Sequence, residues 1–140
     1  MGLKKILVVN YEKEVLFEFE NILSQGGYGV KKTLWGEAAV VLAKEEAFDL
    51  VYCSLNMPGM NGIEVSRKIS AAAPGTRVIL FVVNPDHREE REIMFWKPED
   101  RKRLFEGSCP VSELLSYTKR VLNSPSEAPE SSNDCSSDPA

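Results

Sequence analysis

"FDLVYCSLNMPGMNGIEVSRKI", residues 48–69, carries three local signals in one run. "FDLVYCS" (48–54) is apolar except for Asp49 and Ser54, as in a strand covered on both faces. "MPGMNG" (57–62) then breaks the chain with a proline and two glycines, which marks a loop. "IEVSRKISAAA" (63–73) resumes at helical spacing and is stopped by Pro74-Gly75. Strand, loop and helix in that order make half of a βαβ crossover.

The same alternation extends in both directions. Upstream, "KKILVVN" (4–10) reads as a second buried strand. "EKEVLFEFENILSQGG" (12–27) places Val15, Leu16, Phe19, Ile22 and Leu23 on one helical face and ends on a Gly-Gly stop. "YGVKKTL" (28–34) is a weaker, edge-like strand, and "GEAAVVLAKEEA" (36–47) is an Ala-rich helix. Downstream, "RVILFVV" (77–83) is the most apolar strand. "DHREEREIMFW" (86–96) reads as a helix with Ile93, Met94 and Trp96 inward, ended by Lys97-Pro98. "RLFE" (103–106) reads as a short fifth strand. Pro110 then opens a last amphipathic helix, "VSELLSYTKRVL" (111–122). The pattern predicts a (βα)5 doubly wound α/β domain with a parallel five-stranded sheet. In such sheets ligands sit at the carboxyl ends of the strands.

Composition limits the function. Of 21 acidic residues, four lie in the Pro- and Ser-rich stretch 124–140, which has no Lys or Arg. That stretch reads as a disordered tail or linker. The remainder, residues 1–123, balances 17 acids with 17 bases, so it offers no basic footprint for nucleic acid. No apolar run is long enough to span a membrane, and the first residues lead straight into a strand instead of a signal peptide or a myristoylation site. Cys53, Cys109 and Cys135 are scattered and odd in number, the usage of a reduced, cytoplasmic protein.

With these elements in place, "KKILVVNYEKE", "GYGVKKTLWGEAAVVL" and "FDLVYCSLNMPGMNGIEVSRKI" resemble the response-regulator receiver (CheY-like) domain of two-component signalling. The likeness covers about residues 3–123, and "LNMPGMNGIEV" is its most specific part. It implies a flavodoxin-like sheet of order 2-1-3-4-5. It also implies transfer of a phosphoryl group to an aspartate, with Mg²⁺ held by that aspartate and an acidic pair after the first strand. A Thr or Ser after the fourth strand and a Lys after the fifth would bind the phosphoryl oxygens.

At each of those places this chain departs from the pattern. Asn10 and Tyr11 stand for the acidic pair; the neighbouring Glu12 matches an acid that faces solvent in the family. Ser54 stands for the phosphoacceptor and Val82 for the switch hydroxyl. Gly107 stands for the lysine when "LFEGSCPVSELL" is aligned to the end of the fifth strand; a rival alignment of "IMFWKP" puts Lys97 there. Mg²⁺ takes hard oxygen ligands, usually including carboxylates. The transferred phosphoryl needs its charge neutralised. The site positions have no formal charge, so the expectation is a pseudo-receiver: no Mg²⁺, no other cofactor, no catalysis.

The remaining residues permit sharper and plainer readings. Ser54 has no nearby His base and reads as a small polar residue bonded to adjacent backbone. Asn56 could still offer a backbone carbonyl. Tyr11 either fills the pocket or faces solvent. His87, the sole histidine, reads as a solvated residue, and Cys109 as a small apolar one. Phe95 and Trp96 interrupt the charged run 86–103 and are candidates for a partner surface. The resulting expectation is a protein-interaction or dimerisation module, with a small-molecule or phosphate-ligand-binding regulatory domain as the alternative.

Overall fold

The computed structural model describes residues 3–57, 59, 61–84, 91–97 and 104–123. Eleven elements follow in order. They are β1 (Lys5–Val9), α1 (Lys13–Gln25), β2 (Gly29–Thr33), α2 (Gly36–Glu45), β3 (Leu50–Ser54), α3 (Gly62–Ala72) and β4 (Arg77–Asn84). After these come β5 (Glu92–Lys97), β6 (Leu104–Pro110), a 3-10 turn (Val111–Glu113) and α4 (Leu114–Asn123). Among the described residues no helix is long and apolar enough to cross a membrane.

The strands form one six-stranded sheet, β2-β1-β3-β4-β5-β6. β2, β1, β3 and β4 run parallel. β5 is antiparallel to both β4 and β6, so β6 returns to the direction of β4. The CheY-like layering and the order of the first four strands are as the resemblance implies. The five-stranded, all-parallel sheet is not, because the helix expected at 86–96 is replaced by a strand over 92–97. Residues 86–90 of that expectation, including His87, lie outside the described residues.

The physical reason lies in "EIMFWK". Ile93 and Phe95 are wholly buried on one sheet face, while Met94 and Trp96 are half-buried on the other. That is period two. Aromatic and branched side chains covered on both faces suit a central strand, and six residues are too few for periodicity to exclude either reading. The expected fifth strand at 103–106 becomes the start of β6, which continues through Cys109 to Pro110.

Two apolar layers hold the sheet. On one face α1 and α4 bury Val15, Leu16, Phe19, Leu23, Leu114 and Tyr117 against β1, β3, β4 and β5. On the other, α2 and α3 bury Ala39, Ala43, Val65 and Ile69 against Leu7, Val9, Val51, Cys53 and Leu80. The first layer is rich in rings. Phe95 stacks on Tyr117 with centroids 3.9 Å apart and planes within 8°. Phe19 meets Phe81 at 4.8 Å and Tyr52 at 5.7 Å. Rings in such contact contribute more than their buried area alone. The Tyr52 hydroxyl lies 2.7 Å from Thr118 Oγ1, which itself donates to the Leu114 carbonyl at 2.8 Å. Tyr52 therefore donates to Thr118, and β3 is tied to α4 by a satisfied polar bond inside an apolar layer.

Candidate functional site

The parallel register sets the site. Val9 pairs with Cys53 and Ser54 pairs with Phe81. Asn10 and Ser54 therefore emerge side by side at the carboxyl edge, and Val82 lies one residue past Ser54's partner.

Asn10 is 4% exposed. Its N–H donates to the Thr33 carbonyl at 3.2 Å, and its Oδ1 accepts from the Glu12 N–H at 2.7 Å. This side chain-to-backbone turn steers the chain from β1 into α1. Tyr11 is 47% exposed, so the solvent-facing alternative holds for its ring. Ser54 is 3% exposed, and its Oγ donates to the Asn56 carbonyl at 2.9 Å. The bond is of the backbone kind that a small strand-capping serine makes. It also occupies the Asn56 carbonyl.

The loop after Ser54 is fixed by backbone contact. Leu55 N–H donates to Phe81 O at 2.9 Å, and Gly62 N–H returns to Leu55 O at 2.9 Å. Asn61 Oδ1 accepts from Glu64 N–H at 3.0 Å and caps α3. A Cβ on Gly62 would lie 2.0 Å from the Ser54 carbonyl oxygen and 2.8 Å from Leu55 Cα. No side chain fits between the end of β3 and the start of α3, so Gly62 lets helix and strand touch. Beneath this contact, burial pushes the Cys53 thiol up to about 12. Cys53 is an inert core group, and buried Cys109 of β6 pairs with Ile93 of β5.

The candidates for the lysine position do not join this cluster. Gly107 pairs with Phe95, Phe95 with Phe81, and Phe81 with Ser54. Gly107 is thus three strand spacings from Ser54, about 14 Å. The inserted β5 puts it one strand farther out than a fifth strand beside β4 would. Lys97 follows Trp96, which pairs with Leu80, so antiparallel β5 carries it toward the amino edge of the sheet. The proposed partner pair also separates. Phe95 is 0% exposed and belongs to the core, which removes it from any docking surface, and Trp96 is half-buried against the α2–α3 layer. A short apolar run among charges looks like an exposed aromatic patch when the strand is not recognised.

The Mg²⁺ that the family's chemistry uses does not fit these residues. Asn10 Oδ1 and Ser54 Oγ are neutral and already bonded, and Tyr11 stands half in solvent. Among the described residues no three His, Cys, Asp or Glu side chains come together as a ligand set. One residue that sequence reasoning missed does bind across this end of the molecule. Arg91, just before β5, forms an ion pair with Glu18 of α1, and its carbonyl accepts from Val111 N–H at 2.9 Å. Its long reach from outside a strand left no periodic signal.

Comparison with known proteins agrees with the geometry. The sequence profile of the response regulator receiver domain matches residues 6–96. Protein PilH of Pseudomonas aeruginosa is 27% identical over 120 residues, covering 84% of this chain and 97% of that protein. Virulence sensor protein BvgS of Bordetella bronchiseptica is 45% identical over 82 residues, 55% of this chain. The chain spans only 7% of that sensor's length. The crystal structure of a CheY-like receiver domain protein from Methanospirillum hungatei superposes with a TM-score of 0.55 at 28% identity, covering 56% of this chain and 63% of that one. Parallel strand order, the α3 loop and these matches together show that the chain belongs to the response regulator receiver domain family.

Proposed function

We propose that this receiver domain acts without aspartyl phosphorylation, as a protein-interaction or dimerisation module in cytoplasmic two-component-type signalling. The observation that supports the reading is the neutral, internally satisfied carboxyl edge. Asn10 Oδ1 holds the Glu12 N–H and Ser54 Oγ holds the Asn56 carbonyl, both almost wholly out of solvent. A phosphoryl group brought there would meet no carboxylate nucleophile and no bound cation to neutralise its charge. No catalytic step is assigned to the domain, and binding of nucleic acid or Mg²⁺ is not expected of it.

The test is an NMR titration with Mg²⁺ and beryllofluoride. The expected spectra do not move at Asn10, Ser54 or Val82. Saturable shifts at those residues would overturn the proposal.

A further inference from the structure

The first-strand end of the degenerate edge carries aromatic surface that the fold does not use. Tyr11 follows β1 and Trp35 follows β2, and they are 47% and 64% exposed. The backbone holds them near one another. Val9 pairs with Thr33, Asn10 N–H donates to Thr33 O at 3.2 Å, and Trp35 N–H donates to Thr33 Oγ1 at 3.2 Å. Trp35 is the N-cap residue of α2 but makes no side-chain capping bond. Among the described residues neither ring packs on another ring or a cation. Large exposed aromatics of this kind are the side chains most enriched at the centres of protein interfaces.

The charge around them is one-sided, although residues 1–123 are balanced as a whole. The turns after β1 and β2 carry Glu12, Glu14 and Glu37, all exposed, against the single cation Lys13. Acids in a first helical turn favour the helix dipole. That accounts for Glu14 and Glu37 but leaves Trp35 and Tyr11 unexplained. Carboxylates beside open ring faces suit a cation that can do both jobs, lying over a ring and pairing with an acid. The chain shows the same arrangement nearby. Lys32 lies 5.4 Å from the ring centre of exposed Phe17 while its Nζ pairs with Glu20 at 3.0 Å.

We propose that the turns after β1 and β2 form a docking surface for a cationic, Arg- or Lys-bearing segment of a partner protein. Tyr11 and Trp35 take the cation faces, and Glu12, Glu14 and Glu37 take the charge. This rests on the reading of the domain as an interaction module and adds the surface and the chemistry of its partner.

The experiment is an NMR titration of the full 140-residue chain with a short peptide of alternating Arg and Gly, and with its Glu counterpart. The Arg peptide is expected to cause saturable shifts at residues 10–14 and 34–38 that weaken with salt, and the Glu peptide none. Trp35→Ala weakens binding about three- to tenfold while Trp35→Tyr keeps most of it. Glu12→Gln with Glu14→Gln and Glu37→Gln weakens it as well. Shifts confined to the acidic residues 124–140, or an unchanged affinity in Trp35→Ala, would overturn the proposal. So would concentration-dependent shifts at the same residues without peptide, which would make a second copy the occupant. Any of these leaves the phosphorylation-independent reading standing, since that reading is tested by shifts at Asn10, Ser54 and Val82 with Mg²⁺ and beryllofluoride.

Discussion

From β1 to β4, each strand is followed by a helix and the next strand runs parallel; from β4 to β6, the next strand among the described residues is the antiparallel neighbour. In the first region parallel register brings successive strand ends to one edge, and Asn10, Ser54 and Val82 gather there. In the second region strand direction alternates. Lys97 is carried to the far edge, and Gly107 returns to the near side one strand too far out. The receiver site that the resemblance implies draws on the ends of the first, third, fourth and fifth strands at one edge, so strand direction decides its completeness as much as residue identity does. The uncharged Asn10 and Ser54 and the absence of a parallel fifth strand beside β4 concern the same edge of the sheet.

Phe95→Ala breaks the comparison most directly. If 92–97 is a central strand, the change removes a buried ring stacked on Tyr117 and costs about 3–5 kcal/mol, read from urea unfolding. Were the segment a surface helix, the same change would cost less than about 1 kcal/mol. Gly62→Ala probes the first region. Its Cβ would meet backbone at 2.0 Å, so strand and helix must part, and the expected loss is about 3 kcal/mol by the same assay. Tyr52→Phe tests the tie between β3 and α4. Thr118 keeps its bond to Leu114 O, so the loss stays near 1 kcal/mol.

At the amino edge, Glu46 pairs with Lys5 at 2.8 Å and Lys31 at 2.6 Å. Hydrogen bonds from Lys31 and then Lys5 hold its carboxyl below the usual glutamate range. A carboxyl lowered on folding contributes stability above its ordinary value and loses it as pH falls through the lowered one. Glu46→Gln should therefore lower the neutral-pH midpoint slightly and leave the acid midpoint unchanged, so that unfolding becomes less sensitive to pH. The smallest expected effect is a null. Ser54→Asp, incubated with Mg²⁺ and acetyl phosphate, gains no labile phosphate by mass spectrometry, because Asn10 and Tyr11 still provide no carboxylate for the metal.

The first region was legible because its signals are long and redundant. β3 shows an unbroken apolar run, α1 a clean stripe from Val15 to Leu23, and the loop between β3 and α3 its Pro and Gly punctuation. Ser54 and Asn10 could be placed because parallel strands put successive ends together. The second region was not legible for two reasons. "EIMFWK" is short enough to satisfy a helical stripe through Ile93, Met94 and Trp96 as well as the alternation that packing selects. Strand direction depends on which neighbour a segment pairs with, and no local pattern records that; hence the misplacement of Gly107 and Lys97. The burial of Phe95 follows from the same point, since only the pairing of β5 between β4 and β6 covers its ring.

The meander also bears on how the molecule assembles. Each parallel pair in the first region must wait for a whole helix to be spanned before its strands can meet, whereas β4, β5 and β6 close across the short connections 85–91 and 98–103. Short loops cost less entropy to close, and local pairings form sooner. The antiparallel half of the sheet is thus the half whose strands can zip first, with Phe95 in place to receive Tyr117 when α4 docks.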